Sequence, residues 1–167
     1  MKLLKDSRIM GERRSYLSFR IGDSYFAADV KYVHNILEYS PITVLPRMPK
    51  HILGVINLRG EVLPVVDSRV KFGIRDTELS IDNCILVLEV TLNEEQVFAG
   101  FLVDAVTEVL EIEDEQINAP PGLGRDKLED FISGFYLRDE RYLMILNMDK
   151  VLSGDEIVDM SVLEEQA

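Results

Sequence analysis

Two histidines (His34 and His51), one cysteine (Cys84) and the carboxylates Glu111, Glu113, Asp114 and Glu115 are the side chains from which metal, nucleophilic or acid–base chemistry would have to start in this chain. A zinc-type site draws on three or four Cys, His or acidic ligands at short, regular spacings. Neither histidine stands in such a spacing with Cys84, so no metal site and no cofactor are expected. Cys84 leads the apolar run at 85–90 and reads as a small buried apolar side chain. As a nucleophile it would want a base beside it, and the sequence points to none. The four carboxylates crowd one polar stretch, the pattern of a solvated charge run. Their use as an acid–base pair, in a small hydrolase or transferase, would require burial that raises one of their pKa values. Gly122-Leu123-Gly124 follows two prolines instead of a strand and lacks the Gly-Lys-Ser/Thr ending, so it is not read as a phosphate loop. No catalytic residue is assigned.

Composition narrows the alternatives. The 167 residues suffice for one substantial core or two small ones packed together. Apolar residues at 47% and charged residues at 29% mark a globular chain. No apolar stretch approaches the roughly 20 residues of a spanning helix, and Met1-Lys2-Leu3-Leu4-Lys5-Asp6 leads into no secretory apolar region. One cysteine allows no intrachain disulfide, so a cytoplasmic setting is the expectation. A formal net charge of −12 disfavours phosphate backbones and anionic lipid. Neither nucleic-acid binding nor direct membrane insertion is expected; basic or apolar patches on other proteins suit this charge better.

The elements are organised around residues 54–67. Two apolar runs, 55–58 and 62–66, flank Arg59-Gly60-Glu61 and read as a hairpin turning near Gly60. Pro64 has no N–H, so its strand should lie at an edge or be bulged there. Gly54 suits a turn or a close backbone approach. Arg59, at the tip, reads either as an ordinary solvated turn residue or as a rigidly presented recognition contact.

Around that hairpin the chain repeats itself. Residues 1–14 lack pattern and are expected to be a flexible terminus. Residues 16–21, the turn Gly22-Asp23-Ser24 and residues 25–28 predict strand, turn, strand. Asp29 then caps a short helix carrying Val30, Val33, Ile36 and Leu37. Residues 75–83 are the best internal linker. The second half follows the same order: a hairpin over 85–99, a second short helix from Asp104 through Val106, Val109, Leu110 and Glu111, and a hairpin over 134–147. Val33, Ile36 and Leu37 align with Val106, Val109 and Leu110. Gly54, Leu58, Arg59, Leu63, Val66 and Asp67 align with Gly134, Leu137, Arg138, Leu143, Leu146 and Asn147, with a one-residue gap. A period this long indicates a duplicated subdomain, each copy a small barrel of about five short strands. The halves are about 15–74 and 84–152, with room for edge strands to be exchanged. Ser153-Gly154-Asp155-Glu156 predicts a short C-terminal helix over the tail 153–167. The apolar stripes on the two short helices exceed what small barrels can bury, so an exposed groove for a protein partner is expected.

The string Gly54-Val55-Ile56-Asn57-Leu58-Arg59-Gly60, followed by Leu63-Pro64-Val65-Val66-Asp67, resembles the signature of the CheW family of bacterial chemotaxis coupling proteins. Gly22-Asp23 with Tyr25-Phe26 and Asp29, then Val33 and Ile36, is similar to the family's first hairpin and helix. Val103-Asp104 with Val106, Val109, Leu110, Gln116-Ile117 and Pro120 is similar to its second half. The resemblance covers residues 15–152. It implies a mainly β fold of two SH3-like five-stranded barrels in pseudo-twofold arrangement. It also implies a non-catalytic adaptor that joins the cytoplasmic hairpin tip of a methyl-accepting chemoreceptor to the regulatory domain of a CheA-type histidine kinase.

By that resemblance Val30, Val33 and Ile36 line the groove between barrels that takes the receptor tip, and Arg59 is the coupling arginine. Gly54, Asn57 and Gly60 hold its hairpin, and the barrel ends meet the kinase domain. Asn35, counted with Val30, Val33, Ile36 and Arg59 as a receptor-binding position, replaces the family's frequent glutamate, and Ser68 its usual leucine. The absence of kinase, receiver or transmembrane segments implies a free-standing coupler, cytoplasmic and recruited to membrane receptor arrays. A CheW-like adaptor of a non-flagellar CheA-type pathway, such as surface motility, fits the same residues.

Overall fold

The computed structural model describes residues 13–38, 40–74, 83–92, 94–119 and 131–151. Among the described residues ten strands carry the fold: β1 Arg13–Ile21, β2 Ser24–Asp29, β3 Val33–Glu38, β4 Ile52–Leu58, β5 Glu61–Asp67, β6 Cys84–Leu92, β7 Glu95–Val103, β8 Ala105–Glu113, β9 Ile132–Arg138 and β10 Arg141–Leu146. One-turn helices follow β5 and β10: α1 at Ser68–Lys71 and α2 at Met148–Val151. The mainly β class is as expected. The predicted C-terminal helix and the linker residues 75–82 lie outside the described residues. Arg13 and Arg14, assigned to a flexible terminus, open β1.

The strands form two five-stranded sheets, in the orders β8-β1-β2-β10-β9 and β3-β6-β7-β5-β4. Renumbering β1 to β5 as β6 to β10, and the reverse, turns one order into the other. The pseudo-twofold repeat is therefore real, but the halves do not fold as separate barrels. Each sheet takes two strands from one half and three from the other, because β8 pairs with β1 and β3 with β6. Parallel pairing of β10 with β2, and of β5 with β7, completes the exchange. Neither order closes on itself: β8 and β9 end one sheet, β3 and β4 the other. These are open SH3-like barrels.

Alternation along the strands sends side chains into different cores, because successive residues face opposite sides of a sheet. On β6, Ile85 and Val87 fill the interior of one barrel, while Leu86 and Leu88 enter a cluster shared by both sheets. On β10, Leu143 and Ile145 fill the other barrel and Leu146 joins the shared cluster. Phe19, Phe26 and Phe101 are fully buried there, and the Phe26 and Phe72 rings stack at 5.2 Å. Each such side chain contributes about 1.5–3 kcal/mol by leaving water. The seam between the barrels, expected to gape for a partner, is thus filled by the chain's own aromatics.

Both predicted short helices are strands. Asp29 does cap a turn, its Oδ1 accepting from Lys31 N at 3.0 Å, but the turn is a 3-10 helix of three residues, Val30–Tyr32, and β3 starts at Val33. Asp104 caps no helix. It is buried, accepts the Gly22 amide at 2.6 Å and the Asn83 side-chain amide at 3.2 Å, and so ties the β1–β2 turn to the β7–β8 corner. Asn83, placed in the linker by sequence, is part of that buried network. Pro64 sits inside a sheet, paired with Val55 of β4, one residue before the ladder to β7 begins at Val65. Its missing N–H therefore costs no ladder bond to β7.

Candidate protein-binding surface

The hairpin β4–β5 turns in two residues, Arg59 and Gly60, with φ of +53° and +86°. Positive φ at both central positions defines a type I′ turn, whose twist matches that of the flanking strands. Glycine takes this conformation freely; arginine does so at some cost. Asn57 offsets part of it, its Oδ1 accepting the Gly60 amide at 2.8 Å. Arg59 is exposed and has no ion pair among the described residues. Behind the tip, Gly54 allows residues 42–43 to lie against β4, where Thr43 and Val55 exchange two backbone hydrogen bonds of 2.9 Å. A Cβ at Gly54 would run into the Thr43 carbonyl oxygen.

The other predicted contact residues lie around β3, at the opposite end of the same sheet order. Val30 and Val33 are half-buried and pack on the shared cluster, so they rim the filled seam. A bulge between Val33 and Asn35 shifts the register with β6. Asn35 is half-buried and its Oδ1 accepts the next amide, Ile36 N, at 2.8 Å. Ile36 is 44% exposed. The predicted residues thus divide between the two lips of one open barrel: Val30, Val33, Asn35 and Ile36 near β3, and Gly54, Asn57, Arg59 and Gly60 on β4–β5. Leu37 from one lip and Leu58 from the other pack on the same interior cluster.

The equivalent lips of the other sheet, β8 and β9, are latched. Arg138 on β9 donates to Glu108 on β8 at 3.1 Å, and that hydrogen bond holds the guanidinium pKa above the usual arginine value. Arg138 and Glu108 take the places of Leu58 and Asn35. Arg141 lies over the Tyr25 ring at 4.2 Å, and these residues with Ser18, Thr107, Asp139 and Leu143 line a cleft of about 290 Å³. The one-residue gap assumed from the sequence is absent: Leu58 pairs with Glu61 as Arg138 pairs with Arg141. The counterpart of Arg59 is therefore Asp139, not Arg138.

Three of the four carboxylates considered for catalysis pair with arginines of β1. Glu111 and Glu113 reach Arg13 at 3.6 and 3.4 Å, and Asp114 reaches Arg14 at 3.9 Å, all with substantially exposed side chains. Such exposed pairs contribute at most about 1 kcal/mol each. Among the described residues no three His, Cys, Asp or Glu side chains converge as metal ligands would. No described helix is long and apolar enough to cross a membrane.

Comparison with known proteins agrees with this architecture. The CheW-like domain family model matches residues 15–156. Chemotaxis protein CheW of Rhizobium meliloti (strain 1021) is 33% identical over 143 residues, covering 86% of this chain and 90% of that protein. Protein PilI of Pseudomonas aeruginosa is 28% identical over 130 residues, covering 78% of this chain and 71% of PilI. The crystal structure of the scaffolding protein TtCheW from Thermoanaerobacter tengcongensis superposes with a TM-score of 0.73 at 28% identity, covering 86% of this chain and 90% of that one. This chain belongs to the CheW-like domain family.

Proposed function

We propose that this chain is a non-catalytic scaffold in chemotaxis signalling that binds the helical tip of a chemoreceptor and the regulatory domain of a CheA-type histidine kinase. It would work in the cytoplasm at membrane receptor arrays. The observation that carries the reading is the Arg59 tip, a charge with no ion pair among the described residues, held in a left-handed turn by Asn57 within a family-matched hairpin. Side chains retained in costly conformations concentrate where function needs them. On the facing lip, Val30 and Val33 offer a half-buried apolar rim and Ile36 an exposed one. An apolar face of a helix can lie on such an edge, with burial supplying affinity and Arg59 orientation. The reading needs no deep groove, only a rim.

Reconstitution tests it. Membranes carrying a chemoreceptor should sediment a CheA-type kinase only when this chain is added, and Ile36→Glu should weaken that recruitment. Recruitment that does not depend on the chain would refute the reading. The likeness to PilI favours a second reading, an adaptor of a CheA-type pathway outside flagellar chemotaxis. Identifying the receptor captured from the native cytoplasm separates the two.

A further inference from the structure

The two barrels share a plan but differ at the mouth between their lips. Strand pairing makes Ser18, Thr107, Tyr25, Arg138 and Arg141 the counterparts of Val87, His34, Phe98, Leu58 and Glu61. In one mouth the larger side chains meet. The His34 and Phe98 rings are 4.8 Å apart, and Phe98 and Leu58 pack on the barrel interior. The other mouth holds the cleft of about 290 Å³, lined by the Ser18 and Thr107 hydroxyls, which are hydrogen-bonded to each other at 2.6 Å. Mouths of β-barrels are recurrent sites for small ligands, and this volume lies near the lower end of the roughly 300–1,000 Å³ that ligand pockets span.

Two arginines face each other in that cleft. Arg138 and Arg141 are direct cross-strand partners, and like charges so placed repel. Leu58 and Glu61, at the same place in the other sheet, do not. Glu108 takes up one Arg138 nitrogen, Nη2, at 3.1 Å. The Arg138 Nε is buried and has no hydrogen-bond partner among the described residues, the Asp139 carboxylate standing off at 3.8 Å. A buried N–H normally has a partner, so an orphaned one points to a ligand or an ion. Arg141 lies over the Tyr25 ring at 4.2 Å and forms no ion pair among the described residues. We propose that this mouth binds a small monocarboxylate. The ligand oxygens accept from Arg138 Nε and from the planar fork of Arg141, which relieves the repulsion between the two cations. Its apolar body rests beside Tyr25 and Leu143. Glu108 already balances Arg138, and the Asp139 side chain is 90% exposed to water. One cation is left to satisfy, so a singly charged acid fits the cleft better than a sulfate or phosphate dianion.

NMR titration of the isotope-labelled full chain with sodium propionate, at an ionic strength held constant with sodium chloride, tests this. Neither receptor nor kinase is present, so the outcome does not depend on the scaffold reading. The Nε–H signals of Arg138 and Arg141 should shift saturably, with half-saturation on the order of 1–10 mM, as suits so small a ligand. The amides of His34 and Leu58, in the other mouth, should stay in place. Arg141→Glu, the acid that Glu61 supplies at the equivalent position, should weaken binding at least about tenfold by setting a carboxylate against the ligand. Arg141→Lys keeps the charge but loses the fork, and should weaken binding about threefold or more. Signal dispersion reports whether each variant folds, and Arg141→Lys carries the comparison if Arg141→Glu does not. Sodium sulfate at the same ionic strength should give no saturable shift. A wild type without a saturable propionate shift overturns the proposal. So do shifts matched by sulfate, which mark an adventitious ion only, and undiminished binding by a folded Arg141 variant.

Discussion

Ile36 and Val109 occupy the same place in the two halves of the fold: Ile36 stands opposite Leu86 on β6, and Val109 opposite Leu17 on β1. Their partners enter the shared aromatic core, yet both residues remain exposed, at 44% and 61%. The two end strands therefore keep an apolar side chain in water while the strands beside them fill the seam. Burial and exposure are separated by a single inter-strand spacing.

That separation predicts unequal costs. Leu86→Ala, in the shared core, should destabilise by about 2–5 kcal/mol. Ile36→Ala and Val109→Ala should stay within about 0.5 kcal/mol of wild type, as exposed substitutions do. Chemical denaturation with a constant m-value checks both. Val33→Asp should also lose stability, because Val33 packs on that core, which makes Ile36 the cleaner probe of binding.

Gly54 should be less tolerant of a side chain than Gly134. A Cβ at Gly54 would press first on the Thr43 backbone carbonyl, whereas at Gly134 the nearest atom is the Ile117 Cγ2 methyl and the Asn118 carbonyl oxygen lies at 2.9 Å. Gly54→Ala and Gly134→Ala should each cost about 1–3 kcal/mol. Gly60→Ala meets nothing within 4 Å and should cost about 1 kcal/mol, from its positive φ alone. Thermal unfolding of the three variants gives the order directly.

Asp67 caps α1 through the Arg69 amide at 3.0 Å and pairs with the Arg69 guanidinium at 3.1 Å, both side chains buried. Asp67→Ala should destabilise by about 3 kcal/mol, since it takes a carboxylate from a buried cation. Asp67→Asn keeps an acceptor for the amide and should cost less. Denaturant midpoints distinguish them.

Burial raises the Tyr16 phenol pKa above its ordinary value, and the Asp29 charge raises it further against the opposing effect of Arg14. A group whose pKa is higher folded than unfolded stabilises the fold below the unfolded value and loses that contribution as pH rises. Stability should therefore decline from about pH 10 upwards, where unfolded tyrosine begins to ionise. Tyr16→Phe should flatten the decline. A pH series of unfolding midpoints between neutral and alkaline conditions measures it.

Much of this was legible in the residues, and the failures have physical causes. The hairpin at 54–67 was readable because its apolar runs flank a turn glycine. Val33, Ile36 and Leu37 mimic a helical stripe because the bulge between Val33 and Asn35 resets the two-residue alternation of β3. The same bulge recurs in β8 between the partners of Ser18 and Phe19, which is why the two segments aligned correctly while their secondary structure was misread. Strand exchange left no local trace, since β1 and β8 meet across most of the chain. The acidic tip was hidden by aligning arginine with arginine, although uninterrupted numbering from Gly54 and Gly134 sets Arg59 against Asp139.

The central claim is that the Arg59 tip is a binding element outside the folding core. Titrating receptor–kinase assemblies with wild type and with Arg59→Glu, alongside their melting curves, tests it most directly. The two proteins should melt within about 2 °C of each other, as a surface change of about 0.5 kcal/mol allows, while the variant binds at least about tenfold more weakly. Equal binding by the folded variant would contradict the account.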